Sequence, residues 1–259
     1  MSALSISASR GNRDLPGERP VLEIVGLTGG WGPTTMVERL DLSVAAGETV
    51  AIVGRNGVGK TTLLELIAGR AQLQSGEIRA DGRDICRLPI HERARAGIGY
   101  VPQQREVFRS LTVKEHLTIA ARPGRWTEDA VLELFPSLAG RLHAFGAHLS
   151  GGEQQMLAIA RALVTNPTVL LMDEPSEGLA PVVVEQLVGA IRDLVGARTL
   201  SVLLVEQRVD IALDLASRCI VMDRGRIVRD APSRDYRSGA IDMGDMMGLG
   251  RDPEARDRL

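Results

Sequence analysis

The sequence predicts an α/β domain, with short buried strands in a parallel sheet and helices packed between them. Three observations carry this. The apolar, largely β-branched or leucine-rich runs Thr49 to Val53, Val169 to Met172 and Leu200 to Val205 do not alternate with polar residues, as suits strands buried on both faces. The first run leads into Gly54-Arg55-Asn56-Gly57-Val58-Gly59-Lys60-Thr61, which fits the phosphate-cradling loop G-x-x-x-x-G-K-[ST]. The second run ends in Asp173-Glu174, and acids at the carboxyl edge of a parallel sheet face the ligand crevice.

Taken in order, residues 1 to about 20 are rich in Ser, Gly, Arg and Pro and read as a disordered arm. Val21 to Leu27 alternates, as does Met36 to Val44, with Gly29-Gly30-Trp31-Gly32-Pro33 between them. That predicts an antiparallel hairpin with Trp31 on its turn. Trp31 is either a loop anchor packed on the core or a flat face for a base. In the phosphate loop, glycines let backbone N–H groups approach phosphates closely, and the following helix adds its positive end. Lys60 can reach the β- and γ-phosphates and the Thr61 hydroxyl can ligate Mg²⁺. Leu63, Leu64, Leu66 and Ile67 lie on the helix from Lys60, which Gly69 can end.

Gly76 to Ala80 and the Asp81-Gly82 turn continue the sheet, and Ile98 to Val101 is a further strand before Pro102-Gln103-Gln104. Thr112-Val113-Lys114-Glu115 is a capping box that opens a helix to about Ala121. Thr127 opens another, carrying Val131, Leu132, Leu134 and Phe135, which Pro136 is expected to stop. Residues 105 to about 145 therefore form a helical insert, extended to about 160 by the periodic helix after Leu149-Ser150-Gly151-Gly152-Glu153-Gln154. Ser150 and Glu153 also satisfy the capping-box pattern. Pro181 to Val195 reads as a helix. Glu206-Gln207 follows a buried strand, and Gln207 either faces the same crevice as Glu174 or caps the helix holding Val209 and Ala212. Cys219 to Met222 and Arg226 to Arg229 read as a closing hairpin, and residues 236–259 as a polar tail.

The phosphate loop, Leu149 to Gln154 and Val169 to Glu174 occur in that order. Together, over about residues 21–235, they resemble the nucleotide-binding subunit of ATP-binding-cassette (ABC) transporters. The resemblance implies a P-loop ATPase core with an antiparallel β subdomain and a helical subdomain. It implies that ATP and Mg²⁺ bind at Gly54 through Thr62, with Arg55, Asn56, Val58 and Thr62 in the nucleotide-binding segment. By the same resemblance Asp173 and Thr61 hold Mg²⁺ and Glu174 orients and deprotonates the attacking water. Gln103 joins the Mg²⁺ site to the helical insert, Gln207 takes the place of the switch residue, and Trp31 stacks on adenine. Ser150, Gly151, Gly152 and Glu153 form the signature motif, which meets the nucleotide held by a second ATPase subunit in a homo- or heterodimer.

Val101-Pro102-Gln103, Ser110 to Leu117, Leu134-Phe135-Pro136, Gln154 to Arg161 and Asp173 to Pro181 are similar to importer ATPases for branched-chain amino acids, amides or urea, of the LivF type. Ala180 stands where most ABC members have an aspartate and Gln207 where most have a histidine; both fit that branch. Gln104 stands where urea-type members usually have glycine, which leaves the solute group open. The resemblance implies transmembrane permease subunits, an indirect extracytoplasmic solute-binding partner, and a peripheral place on the cytoplasmic face of the membrane.

Composition agrees with an ordinary globular chain. Apolar content is 44% and charged content 25%. A net charge of −2 gives no sign of a nucleic-acid partner. Cys86 and Cys219 form no CxxC and are expected to be plain core thiols in a reducing compartment. No apolar run approaches a membrane span. A non-transport ABC ATPase, or a nucleotide-binding regulator that does not turn over, is the alternative function. The intact Lys60, Asp173 and Glu174 argue against a regulator, and the lack of zinc-site cysteines or a second cassette argues against the other.

Overall fold

A computed structural model describes residues 20–196 and 198–242. The expected disordered arm, but for residue 20, and the expected polar tail beyond residue 242 lie outside the described residues. Two sheets enclose the chain's first helix. The antiparallel sheet has the order β2-β1-β4-β5, from β1 (Leu22–Trp31), β2 (Thr34–Val44), β4 (Gln72–Ala80) and β5 (Arg83–Asp84). The second contains β3 (Thr49–Val53), β6 (Ile98–Val101), β7 (Val169–Asp173), β8 (Ser201–Val205), β9 (Arg218–Asp223) and β10 (Arg226–Pro232). Its order is β10-β9-β3-β8-β7-β6, parallel from β9 to β6, with β10 added antiparallel at the edge.

Side-chain alternation divides the core. Ile52, Leu171, Val205 and Met222 point from the parallel sheet toward α1 (Lys60–Ala68) and the antiparallel sheet. Helix α1 is buried on nearly all sides: Leu63, Leu64, Leu66 and Ile67 pack in the core, and its polar first turn faces the phosphate loop. Gly69 ends it in the left-handed conformation. On the opposite face, Leu170, Met172, Val202 and Leu204 pack with α6 (Gly151–Leu163) and α7 (Pro181–Gly196). The same core takes in α3 (Val113–Ala120), α4 (Glu128–Leu134) and α5 (Pro136–Ala139). A third cluster joins Ala51, Val53, Cys219 and Val221 to α8 (Val209–Leu215) and α9 (Ser233–Arg237).

Most predicted elements stand within a few residues of their expected limits. The differences have local causes. Pro136 does not only stop α4; it occupies the first turn of α5, where its missing N–H costs nothing. Besides α5, two further helices were not expected. One is α2 (Ile90–Arg95), five of whose six residues are not buried; the other is α9. Helix α2 is anchored by Arg93, which is buried and donates to the carbonyls of Leu66, Ile67, Cys86 and Leu88. The bonds to Leu66 and Ile67 serve carbonyls in the last turn of α1, where the intrahelical ladder runs out.

Candidate functional site

The site is built at the carboxyl edge of the parallel sheet, where β3, β7 and β8 end side by side. Between β3 and α1 the loop from Gly54 turns on glycines. Gly59 sits at φ +106°, and a Cβ there would lie 2.6 Å from the Met36 carbonyl oxygen. Only glycine fits that approach. Met36 belongs to β2, so this contact sets the hairpin against the phosphate loop. Trp31 ends β1 opposite Thr34 and is 47% exposed. It is therefore not the packed loop anchor that was one of its two readings.

Lys60 is buried, and its Nζ donates to the Gly54 carbonyl at 2.8 Å and the Arg55 carbonyl at 3.1 Å. The same Nζ lies 3.6 Å from Glu174 Oε1. The loop thus folds over a cation that faces a carboxylate. Arg55, Asn56 and Gly57 are exposed at the loop's tip, while Val58 and Thr62 turn inward.

Asp173 is fully buried at the end of β7. Its Oδ1 accepts the Thr61 hydroxyl at 3.2 Å, and its Oδ2 has no partner. Burial pushes this carboxyl up to about 7, with the Glu174 charge adding to the effect and the Thr61 bond opposing it. A buried carboxylate oxygen without a donor is costly. A hard divalent cation relieves that cost, since Mg²⁺ is commonly held by one or two carboxylates plus phosphate oxygens. Among the described residues no group of three or more His, Cys, Asp or Glu could hold an ion unaided. The donor set, one carboxylate and one hydroxyl beside a phosphate loop, fits Mg²⁺ shared with a nucleotide.

Glu174 follows directly, in the left-handed backbone region at φ +47°, a strained conformation for a non-glycine residue. Its N–H donates to the Val205 carbonyl at 2.9 Å. Burial raises its pKa, Lys60 opposes the rise, and the Glu177 charge adds to it. Gln207 Nε2 donates to Glu174 Oε2 at 2.9 Å. The helix-cap alternative for Gln207 fails, because Arg208 occupies the N-cap of α8 and makes no side-chain cap bond. Lys60, Asp173, Glu174, Thr61 and Gln207 are thus brought together.

Gln103 is placed differently from the expected Mg²⁺ set. It is exposed two residues beyond β6, and its Nε2 donates to Glu177 Oε2 at 2.5 Å. That carboxylate, rather than Asp173 or Thr61, takes its hydrogen bond. The signature residues are apart from the loop as well. Ser150 Oγ accepts the Glu153 N–H at 3.3 Å and Glu153 Oε2 accepts the Ser150 N–H at 2.7 Å, a complete capping box. Arg141 holds the same Glu153 at 3.1 Å. Ser150 and Gly151 are nevertheless exposed, so the capped end of α6 presents an open face. Sequence reasoning passed over Glu177 and Glu206. The signal for Glu206 was its position, since it follows β8 as Glu174 follows β7.

The ABC transporter family model matches residues 37–177. The chain is 42% identical over 206 residues to the high-affinity branched-chain amino acid transport ATP-binding protein BraG of Pseudomonas aeruginosa, covering 76% of this chain and 87% of that one. It is 39% identical over 212 residues to a probable branched-chain amino acid transport ATP-binding protein, LivF, of Archaeoglobus fulgidus, covering 80% and 90%. Among solved structures, a dimeric post-hydrolysis ATP-binding cassette bound to ADP and Pi superposes with a TM-score of 0.72 at 25% identity, covering 83% of this chain and all of that one.

Proposed function

The chain belongs to the ABC transporter family and is an ATPase subunit of that family, and from that premise we propose that it powers the import of branched-chain amino acids or related amides or urea. The likeness to BraG and LivF supports the solute class. Among the described residues no helix is long and apolar enough to cross a membrane. This fits a peripheral subunit on the cytoplasmic face, docked on separate permease subunits that receive solute from an extracytoplasmic binding protein.

One observation carries the residue roles. Lys60, Glu174 and Gln207 form a contiguous chain of contacts beside the bond from Thr61 to the buried Asp173. Lys60 binds the β- and γ-phosphates as a compact positive charge. Thr61 and Asp173 would hold Mg²⁺, which would supply charge neutralisation at the phosphates. Glu174 accepts the proton of the attacking water, aided by a pKa that burial moves upward. Gln207 orients that carboxylate and never titrates. Trp31, exposed at the end of β1, offers its face to adenine, and Gln103 links Glu177 to the segment entering the helical layer. The backbone N–H groups of Gly54 through Thr62 cradle the phosphates. Ser150, Gly151, Gly152 and Glu153 serve the nucleotide of a second ATPase subunit, either a copy of this chain or a related partner, since a two-fold arrangement completes two sites at once.

The test is Glu174→Gln. Hydrolysis should fall by roughly 10²–10⁴-fold, as for a lost general base, while ATP binding persists and the ATP-bound dimer accumulates in light scattering. Normal turnover in this variant would remove Glu174 from the reaction.

A further inference from the structure

Glu206 ends the described catalytic edge but has no assigned part in it. It is 1% exposed, directly after β8, and its N–H donates to the Ile52 carbonyl at 3.1 Å. Its Oε1 accepts the Ser176 N–H at 3.2 Å, and Ser176 is itself buried. Burial raises the pKa of this carboxyl, and the Ser176 hydroxyl, the Ser176 amide and the Arg208 amide oppose the rise. A buried carboxylate is costly unless donors surround it. The donors here come from two separate turns. Ser176 is two residues beyond Glu174, on the turn after β7. Arg208 is next to Gln207, on the turn after β8.

We propose that Glu206 is a positioning residue for hydrolysis: its buried carboxylate ties the turn carrying Glu174 to the turn carrying Gln207 and so fixes the contact between those two side chains. The inference rests on the roles given above to Glu174 and Gln207. The geometry requires such a tie. Glu174 holds a left-handed backbone conformation that persists only when its surroundings over-determine it. Its N–H bond to Val205 fixes one side of the turn. The Ser176–Glu206 bond fixes the other, and the Glu177–Gln103 bond closes the turn farther along. Each of these three anchors is outside the reacting groups. Two of the three, at Val205 and Glu206, are rooted in the same strand end as Gln207, and of these Glu206 alone uses its side chain. Displacing a general base by about an ångström costs on the order of 10²-fold in rate, so a tie of this kind acts on kcat rather than on nucleotide affinity.

The experiment measures steady-state ATP hydrolysis and nucleotide binding for the full-length chain purified with its partner subunits. Glu206→Ala removes the acceptor and should lower kcat by roughly 10- to 100-fold with KM for ATP within about three-fold. Glu206→Gln keeps an acceptor for Ser176 and should restore most of that loss. The distinguishing measurement is a double-mutant cycle with Gln207→Ala. If Glu206 acts through the Gln207–Glu174 contact, the two losses are less than multiplicative. Unchanged kcat in Glu206→Ala, or strictly multiplicative losses, would overturn the proposal. So would a loss of ATP affinity that matches the loss of rate. Should Glu206→Ala not fold, Glu206→Asp withdraws the carboxylate by one methylene and enters the same cycle. Glu174→Gln, run in parallel, separates the two conclusions. If it retains turnover, the role of Glu174 falls; if it is inactive while Glu206→Ala is normal, only the tie falls.

Discussion

Gln207 shows how a side-chain contact narrows a role. Its amide nitrogen is committed to Glu174 Oε2 at 2.9 Å, which leaves its carbonyl oxygen and second N–H for other partners. Gln207→Ala should therefore reduce kcat while ATP affinity stays within a few-fold, read by hydrolysis and nucleotide titration at saturating Mg-ATP. Gln207→His should retain activity and add an inflection near pH ~6.5 to the pH–rate profile, the ordinary histidine value; a profile identical to wild type would contradict it. Lys60, Asp173 and Glu174 were legible in the sequence because each stands at a fixed distance from an apolar strand that hardly any other arrangement explains. Glu206 was not. Its position after β8 was visible, but position alone does not distinguish a buried carboxylate with backbone donors from a solvated one. Gln103 was legible as a loop glutamine, but its bond to Glu177 depends on two loops meeting in space.

At the scale of elements, local patterns were read best where the chain's own neighbours satisfy them. The capping boxes at Thr112 and Ser150 are both complete, since a box needs only residues three apart. Helix α2 escaped notice because its anchor, Arg93, is a charged residue used as a buried donor, and such residues usually read as surface. Two predictions belong here. Ser150→Ala removes the cap of α6 and should cost about 1 kcal/mol of stability, measured by denaturant unfolding without nucleotide. The second concerns the segment after Gln103. His116 is buried, with Nε2 accepting the Phe108 N–H at 3.0 Å and Nδ1 within 2.7 Å of the Thr112 carbonyl. Burial lowers its pKa, Arg161 adds to that, and the Thr112 carbonyl and Glu115 oppose it. The folded state thus binds the proton less readily than the unfolded chain. Stability is fully present above the unfolded histidine value, about 6.5, and is lost as pH falls from there toward the lower folded value. His116→Gln should remove that part of the slope in unfolding midpoint below about pH 6.5. An unaltered slope would show that other groups produce it.

Across the whole molecule, the sheet order decides when an ATP site can exist. The strand that carries the phosphate loop, β3, pairs only with β8 and β9. Both come from residues 201–223, about 150 positions later in the chain. The division into strands and helices was legible because it is written in local periodicity, but this order was not, since no local pattern states which strand lies beside which. During synthesis the phosphate-loop sequence leaves the ribosome early, yet both edges of its strand stay open until most of the polypeptide has followed. The nascent chain is thus kept from gripping nucleotide before it is nearly complete. A chain stopped at Leu200 should bind no fluorescent ATP analogue at concentrations that saturate the full-length chain, and tight binding by it would show that the loop forms without its neighbours. The newly made protein thus carries an apolar strand with both edges unpaired for most of its synthesis, the kind of exposed edge that invites wrong pairing.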